Sequence, residues 1–366
     1  MGTSLSRTLS KSEVDAFGAE LDDLRARTLA KVGEEDARYI RRIRAAVRYS
    51  EAAGRGLLFL SFLPPAWVAG TGLLSLSKIL ENMELGHNVM HGQYDWMNDP
   101  SFQSSTYEWD NVCTADAWRR YHNYIHHTYT NVLDRDRDIG YSLLRLFPEQ
   151  RWKPRYILQP FKAMALATMF QWGVAFHGLE ADQVVRDRKQ ASQLWADFKP
   201  IARKIGRKVF KDYVFFPALA GPMFLHVMAG NLVANLVRNL WAFGIIFCGH
   251  FTEDAETFPE SVLDGETRGE WYLRQIRGSS NLRGGRLFHI MSGNLSHQIE
   301  HHLFPDIPAH RYAEMAVEVE AICQRYGIHY NTGSFWKQFA TVARRIVVHS
   351  LPTRPEPALP AQPHAA

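Results

Sequence analysis

Cysteine is scarce in this sequence. The 366 residues include three cysteines, Cys113, Cys248 and Cys323, which stand far apart and form no C-x-x-C pair. A sparse and odd number of cysteines argues against a secreted domain held together by disulfides, and it argues equally against a zinc–thiolate site. The ligands of any bound metal are therefore expected among other residue types.

Charge of one sign is not in large excess either. The chain has 42 lysines and arginines against 38 acidic residues, and the formal net charge of +4 is dispersed along the sequence. This balance gives no reason to expect nucleic acid as a partner, whereas a mildly basic surface suits contact with anionic lipid headgroups. The first 45 residues are charged and lack the apolar core of a signal peptide.

Long apolar segments, by contrast, are present. Residues 45–85 contain two apolar arms that meet at Pro64-Pro65, a pair that cannot continue a helix, so a helical hairpin is expected. Residues 213–248 form the longest apolar run, of about 36 residues, where one membrane crossing needs about 20. This run therefore predicts two further spans, with a turn at Gly230-Asn231.

The basic residues predict the orientation of these spans. The basic stretch 186–211 should stay on the cytoplasmic side, so the apolar segment 156–179 is expected to lie at the membrane interface or to dip in and return. The sequence thus predicts an all-α membrane protein with about four transmembrane helices in two hairpins and a cytoplasmic helical cap. We expect it to be a multi-pass protein of the cell membrane.

The two ends of the chain differ from this central part. Residues 1–44 predict an amphipathic helical segment, beginning with a capping box at Ser12 and Asp15 and continuing with apolar residues at helical spacing. Residues 45–351 form the predicted membrane domain. The proline-rich residues 352–366 predict a disordered tail.

Histidine is the residue in excess, and half of its 16 copies fall in three short segments. Motif 1 is His87-Asn88-Val89-Met90-His91, motif 2 is His122-Asn123-Tyr124-Ile125-His126-His127, and motif 3 is His297-Gln298-Ile299-Glu300-His301-His302. Residues four apart share a face of an α-helix, so each motif can direct two imidazoles to one point. The extra histidine of motifs 2 and 3 points about 100° away, where it could reach a neighbouring metal.

Such a set of imidazoles indicates a pair of metal ions. Eight neutral ligands are too many for one four- or six-coordinate ion, and imidazole suits iron, copper and zinc. A pair of irons can bind O2 and supply the oxidising equivalents that remove hydrogen from an unactivated C–H bond. All three motifs fall outside the predicted spans and on one face of the membrane, which the basic stretch makes the cytoplasmic face.

Three further residues carry predictions. His250 ends the long apolar run where a helix should emerge beside the motifs, and we expect it to complete the surroundings of the second ion. Glu84 is a candidate to accept a hydrogen bond from a ligand imidazole. Arg238, with Asn231 and Asn235 on its face, is expected to brace the helix bundle rather than line a substrate tunnel.

The motifs and their surroundings resemble the membrane fatty-acid desaturases. That family has H-x3-4-H after the second span, H-x2-3-HH in the following loop, and H/Q-x2-3-HH after the last span. The sequence is most similar to bacterial stearoyl-CoA/linoleoyl-CoA desaturases of the actinobacterial type, notably over residues 81–87 and 292–302. The resemblance extends from about Asp36 to Leu351.

The resemblance implies a set of iron ligands. They are His87, His91, His122, His126, His127, His297, His301 and His302, with His250 as the isolated ninth histidine of the family. Some animal relatives have an asparagine four residues before that ninth histidine. Here the position is Ile246, so Asn294 is a candidate substitute in the surroundings of that iron.

The resemblance also implies the reaction. Family members reduce O2 with two external electrons and insert a cis double bond into a long-chain acyl substrate, which is expected here to be acyl-CoA, or else acyl-lipid, with position 9 as the candidate position. No catalytic residue is expected beyond the metal ligands. No His-Pro-Gly-Gly motif of a fused cytochrome b5 occurs in these 366 residues, so a separate ferredoxin or flavin reductase using NADPH is the expected electron donor.

Two alternatives remain open. A sister oxygenase with the same metal set, such as a lipid hydroxylase or a carotenoid ketolase, would add oxygen instead of forming a double bond. A zinc-dependent membrane hydrolase, or a non-catalytic metal-binding membrane protein, would need only three or four ligands per ion, so nine histidines disfavour it.

Overall fold

Helices make up most of the chain. We describe the protein from a computed structural model, which defines residues 9–180 and 190–352. The predicted disordered tail lies outside the described residues, apart from Pro352. The α-helices, in chain order, are α1 Lys11–Leu29, α2 Glu34–Phe59, α3 Pro64–Leu80, α4 Asn88–Met90, α5 Ala115–Trp118, α6 His127–Tyr129, α7 Gln159–Thr168, α8 Phe170–His177, α9 Ala191–Phe210, α10 Phe216–Leu219, α11 Phe224–His250, α12 Arg268–Arg277, α13 Arg286–Met291, α14 Gln298–Leu303, α15 Tyr312–Tyr326 and α16 Phe335–Val348.

Shorter elements connect these helices. Three π-helical segments continue neighbouring α-helices, at Glu81–His87, Arg119–His126 and Lys211–Phe215. The 3-10 turns are Asp95–Met97, Pro100–Phe102, Ile139–Ser142, Pro154–Tyr156, Gly221–Met223, Glu260–Leu263, Leu295–His297 and Ala309–Arg311. Within the described ranges, the one sheet pairs β1 Asn281–Arg283 in parallel with β2 Thr332–Ser334. The prediction of an all-α protein is confirmed, apart from this small sheet.

The first predicted hairpin is formed by α2 and α3. The chain reverses just before Pro64, which begins α3 at a position where proline fits a helix. The two helices cross closely at glycine. A Cβ atom at Gly54 of α2 would lie 2.9 Å from the backbone nitrogen of Leu74 and 3.0 Å from the carbonyl oxygen of Gly70.

The predicted turn at Gly230-Asn231 is wrong. α11 passes unbroken through both residues, and the chain reverses earlier, at Gly221, whose φ of 56° lies in the left-handed region. Gly230 serves packing instead, because a Cβ there would lie 2.7 Å from Cδ2 of Leu58 on α2. The helix that precedes α11 therefore begins well before residue 213, within the basic stretch.

Membrane-spanning character is only partly visible in these helices. Among the described residues, only the helix over Gly221–His250 is both long and apolar enough to cross a membrane, and 61% of its most apolar window is buried inside the protein. The core helix of a soluble protein can share these properties.

The N-terminal segment packs against the C-terminal half. Its helix begins two residues earlier than predicted, with the capping box formed by Ser10 and Glu13. The predicted apolar face of α1 is buried, with Phe17 and Leu21 fully enclosed in a cluster with α12, α14 and α15. The predicted boundary after residue 44 falls inside α2, which continues without a break.

Replacing Gly54 by alanine should loosen the hairpin of α2 and α3. The new methyl would press on backbone atoms of α3, which cannot rotate away, and overpacking of this kind costs about 1–3 kcal/mol. The measurement is the apparent melting temperature in detergent. Gly56→Ala is the matched control on the same helix, because nothing lies within 4 Å of its Cβ position; it should leave the melting temperature unchanged or raise it. Equal effects of the two substitutions would contradict the close crossing.

Candidate metal centre

Motif 1 lies where α3 passes into a π-helix. The helical hydrogen bonding widens over Glu81–His87 and returns to α geometry in α4, and π-helical segments are frequent at functional sites. The rings of His87 and His91 have their centroids 4.7 Å apart. Nε2 of His91 is buried and has no hydrogen-bond partner among the described residues.

Motif 2 lies on a second π-helix. In a π-helix the hydrogen bond spans five residues, so residues five apart come into line. Nε2 of His122 accordingly lies 3.4 Å from Nε2 of His127. Nε2 of His126 lies 3.2 Å from Nε2 of His250 instead. Spacing on an α-helix predicted His126 as the partner of His122, whereas the π-helix makes His127 its nearest partner within the motif.

The end of α11 delivers His250 to the same region. Its Nε2 lies 3.1 Å from Nε2 of His302 and 3.0 Å from Nε2 of Gln298. The preceding histidine of motif 3 points elsewhere, with Nε2 of His301 lying 3.3 Å from Nε2 of His87. The two adjacent histidines of α14 therefore serve two different clusters.

His297 does not join these clusters. It precedes α14 in a 3-10 turn, and its ring stacks on that of His289 with centroids 4.6 Å apart. Gln298 occupies the corresponding place beside His250. The sequence carried this signal, because Gln298, His301 and His302 fit the shorter Q-x2-HH spacing of the resemblance as well as His297 fits the longer one.

The amide of Gln298 can turn either face to the centre. Its Oε1 is buried without a hydrogen-bond partner among the described residues, while its Nε2 faces the imidazole of His250. The oxygen and nitrogen of an amide are assigned from their surroundings. A rotation of the amide by half a turn would direct the oxygen, a competent ligand atom, towards the histidines.

The histidines thus form two main groups that share members with a third. Within each group, the candidate ligand atoms lie within 4.8 Å of one another. The first group is His87, His91, His122 and His301; the second is His126, His250 and His302; and the third is His127 with His301 and His302. This arrangement provides two adjacent places for a cation, joined by the histidines of α14.

Burial keeps most of these imidazoles neutral. Burial, reinforced by the neighbouring His126, lowers the pKa of His87 to about 3. Burial and the surrounding histidines likewise hold the pKa of other members well below the usual value, namely His91, His122, His127, His301 and His302. Neutral imidazoles with converging nitrogens and one orphaned Nε2 fit a cation, which would supply the missing partner.

His126 differs from the others in its partners. Burial lowers its pKa, but the carboxylates of Asp136 and Asp138 outweigh burial and raise the pKa overall. Asp136 lies 3.0 Å from Nδ1 of His126 and also accepts the backbone N–H of Asn131. This carboxylate fixes the ring and favours a proton on Nδ1, which leaves Nε2 free to face the centre.

Two other ligand candidates are oriented by neutral groups. Nδ1 of His302 lies 3.1 Å from both Oε1 of Gln275 and Oγ1 of Thr130. Nδ1 of His250 lies 3.3 Å from the carbonyl oxygen of Gly278. Sequence spacing did not point to Gln275 or Gly278, because they come from segments that carry no histidine motif, whereas Thr130 closely follows motif 2.

Glu84 and Asn294 are linked to each other. The side-chain amide of Asn294 donates to both carboxylate oxygens of Glu84, at 2.9 and 3.1 Å, and the hydroxyl of Tyr39 donates to the same carboxylate at 2.6 Å. No hydrogen bond recorded for the described residues joins either side chain to a motif histidine. The pair therefore ties motif 1 to the turn before motif 3.

A cavity borders the two groups. Its wall includes His87, His122, His126 and His250. Apolar side chains cover much of the remaining wall: Met83, Tyr141, Phe170, Val174, Ala242, Ile246, Phe251 and Leu295. The cavity can thus hold a hydrocarbon chain beside the histidines and exclude water from it.

Comparison with known proteins shows which family has a similar sequence. The sequence profile for fatty acid desaturase matches residues 62–334. The chain is 45% identical over 350 residues to an NADPH-dependent stearoyl-CoA 9-desaturase of Mycobacterium tuberculosis, covering 94% of this chain and 82% of that protein. It is 28% identical over 285 residues to an sn-1 linoleoyl-lipid 6-desaturase of Synechocystis, covering 75% and 77%.

Metal analysis of two neighbouring substitutions tests the placement of motif 3. We expect His297→Ala to retain the bound metal of the wild type, because this ring lies outside the groups. Gln298→Ala should lower the metal content or the affinity, because it removes a side chain that lies 3.0 Å from His250. The measurement is metal per protein by plasma mass spectrometry on purified variants. Loss of metal in His297→Ala with full retention in Gln298→Ala would reverse the assignment.

Proposed function

The chain belongs to the fatty acid desaturase family, and we propose that it introduces a cis double bond into a long-chain acyl-CoA at position 9. The enzyme is an oxidoreductase. The proposed substrate and position follow the mycobacterial relative, which is named a stearoyl-CoA 9-desaturase and covers 94% of this chain. We assign the desaturase domain to residues 45–351, which contain the family match over residues 62–334.

The convergence of buried, neutral imidazoles is the observation that carries the proposal. We assign two iron ions to the two groups, with O2 as co-substrate. The ligands of one iron would be His87, His91, His122, His127 and His301, and those of the other would be His126, His250, Gln298 and His302. Gln298 replaces His297 of the sequence-derived set, since the ring of His297 stacks on His289 instead.

Bound there, the irons would supply the reduction of O2: a –CH2–CH2– unit, O2, two electrons and two protons become –CH=CH– and two waters. The protein residues position the reactants. The ring of Phe170 and the side chains of Ala242 and Ile246 line the cavity beside the histidines and keep an acyl chain away from water. Asp136 holds His126 in one orientation through its Nδ1.

The electrons are proposed to come from a separate protein. The mycobacterial relative is named as NADPH-dependent, which supports a ferredoxin or flavin reductase that draws on NADPH. The described helices of this chain supply histidine-lined sites for metal. The flavin or iron–sulfur cluster that carries the electrons would belong to the partner protein.

We also propose a multi-pass arrangement in the cell membrane. The hairpin over residues 45–85 and the apolar run over residues 213–249 would supply the four spans, with the basic stretch 186–211 and the histidine motifs on the cytoplasmic side. Segment 156–179 would lie at the interface, because α7 exposes large apolar side chains at Leu158, Phe161 and Met164. An exposed apolar face of this kind suits contact with lipid.

Cysteine labelling tests this orientation. All three native cysteines are buried, so a new cysteine in an exposed turn should dominate the labelling of intact cells. Pro222→Cys lies in the turn before α11 and should react with an impermeant maleimide from outside. Asn98→Cys lies beyond motif 1 and should react only after the cells are opened. Labelling of both positions from the same side would contradict the arrangement.

Product analysis tests the activity itself. Membranes with the enzyme, a labelled saturated acyl-CoA, O2, NADPH and a reductase should give a monounsaturated product with its double bond at position 9. His301→Ala should reduce the product at least 100-fold, because it removes a residue shared by two histidine groups. The readout is gas chromatography with mass spectrometry.

The other outcomes identify the alternatives. A hydroxylated or ketone product would assign the protein to the sister oxygenases, and bound zinc without oxidation would exclude a desaturase. Leu240→Phe, on the exposed outer face of α11, is the control variant and should retain activity.

A further inference from the structure

One end of the cavity beside the histidines is polar. Five polar side chains line it, each at most 7% exposed, and we call them the polar floor: Asn82, Asn111, Gln171, Arg238 and Asn239. A charged guanidinium in the wall of a largely apolar cavity is unusual, because burying polar groups costs free energy unless they gain partners. The floor therefore needs an explanation beyond the filling of space.

The helix α11 shows how far the floor lies from the histidines. His250, Ile246, Ala242 and Asn239 follow one another at helical spacing, and all four line the cavity. At about 1.5 Å per residue, Ala242 lies about 12 Å along the helix axis from His250, and Asn239 lies about 16 Å from it. The cavity wall thus changes from metal-binding to apolar to polar along a single helix.

The end of α3 repeats this order. His87, Met83 and Asn82 line the same cavity, and they again run from the histidines through an apolar side chain to an amide. Two segments from different parts of the chain therefore each contribute a histidine, an apolar side chain and an amide to this cavity, over a shorter distance in the π-helix Glu81–His87 than along α11.

The floor is held rigidly in place. Nε of Arg238 donates to Oδ1 of Asn239 at 3.0 Å, and Nη1 donates to Oδ1 of Asn82 at 3.4 Å. Asn111 donates to the same oxygen of Asn82 at 2.8 Å. Arg238 donates its hydrogen bonds to the amide oxygens of Asn239, Asn82 and Asn235, so its charge is stabilised by amide dipoles and not by a directly paired carboxylate. Oε1 of Gln171 is buried and has no hydrogen-bond partner among the described residues.

We propose that the polar floor stops the methyl end of the acyl chain and makes Arg238 a residue that determines chain length. The inference rests on the proposed acyl-CoA desaturation. A hydrocarbon end cannot replace the hydrogen bonds of this network, so it gains by remaining in the apolar section above it. Arg238 braces the helix bundle, as the sequence predicts, through its hydrogen bonds to neighbouring amides. The same side chain also lines the cavity.

The length of the apolar section agrees with a particular chain. A C–C bond of about 1.5 Å gives about 1.3 Å per carbon along an extended chain. The section of about 12 Å between His250 and Ala242 therefore holds about nine carbons. Nine carbons follow position 9 in an eighteen-carbon acyl chain, so a tail of this length would end at the floor.

Two substitutions should shift the chain-length preference in opposite directions. Ala242→Phe fills the lower part of the apolar section, and Arg238→Met removes the charge from the floor while keeping the unbranched stem. Each buried methylene contributes about fourfold in binding, from about 0.8 kcal/mol. We therefore expect Ala242→Phe to raise the ratio of C16 to C18 products about tenfold, and Arg238→Met to raise the ratio of C20 to C18 by a similar factor.

The assay is a competition among saturated C14, C16, C18 and C20 acyl-CoAs, with products measured by gas chromatography. Leu240→Phe is the matched control: it adds the same ring to the outer face of α11, where residue 240 is 42% exposed, and should leave all ratios unchanged. Unchanged ratios in Ala242→Phe, or equal shifts in the control, would overturn the proposal. Unchanged ratios in Arg238→Met would overturn the role of the floor. If that variant fails to fold, Asn239→Leu, which also removes a polar group from the floor, takes its place, and an unchanged ratio of C20 to C18 products would overturn the proposal.

A second readout separates this proposal from the proposed function. Thermal stabilisation by each saturated acyl-CoA, measured without reductant, should peak at C18 for the wild type and at a shorter chain for Ala242→Phe. If the protein makes no double bond but shows this shift in stabilisation, the chain-length role of the floor stands and the proposed desaturation fails. If the protein desaturates but shows no dependence on chain length in either assay, the proposed function stands and the chain-length role of the floor fails.

Discussion

The structure depends on one electrostatic constraint, which is the burial of many imidazoles around two shared points. Histidines that face one another at 3.1–3.4 Å cannot all be protonated, and burial lowers the pKa of most of them well below neutrality. Neutral nitrogens that converge in this way leave lone pairs directed at the same small volume. Such an arrangement gains stability from a cation, and the surrounding helices hold the rings in place for one.

Several parts of the fold serve this constraint. The π-helix after α3 and the end of α11 carry His87 and His250 to the histidine groups. The close packing of α2 against α3 and α11 depends on Gly54 and Gly230, which leave room for neighbouring atoms. The π-helices at motifs 1 and 2 change which histidines share a face. On the side away from the centre, Nδ1 of three histidines is held by a hydrogen-bond partner. Asp136 holds His126, Gln275 holds His302, and the carbonyl group of Gly278 holds His250. The centre is therefore assembled from parts of the chain as far apart as His87 and His301, which are separated by 214 residues.

The cavity joins this centre to the helix bundle. Its apolar wall and its polar end are formed by the same two helices that carry His87 and His250. A single helix can therefore set both the position of the metal and the distance to the end of the cavity, since its rise per residue is fixed. Under the proposed function, the reactive position on a substrate and the permitted length of its tail would consequently be linked.

Local spacing was sufficient for the helical class, the hairpin at Pro64, the buried face of α1 and the three histidine motifs, because each of these depends on residues that are near one another in sequence. It failed at Gly230, where a glycine is needed for close contact with Leu58 on another helix and not for a turn. It placed His122 with His126, whose ligand atoms do lie within 4.8 Å of each other, but it missed the approach of His122 to His127, because it assumed α-helical geometry where the chain forms a π-helix. The choice of Gln298 over His297 depended on the turn that begins α14, which directs one side chain to His250 and the other to His289.

The sequence by itself thus determined which residue types could bind metal and roughly where they lie along the helices. Only the tertiary structure decided which imidazoles meet, which carbonyls and amides orient them, and where the cavity ends. The physical reason is that side-chain spacing along a helix is a local property, whereas the meeting of Nε2 atoms within 3.5 Å requires contacts between helices that the local pattern does not specify.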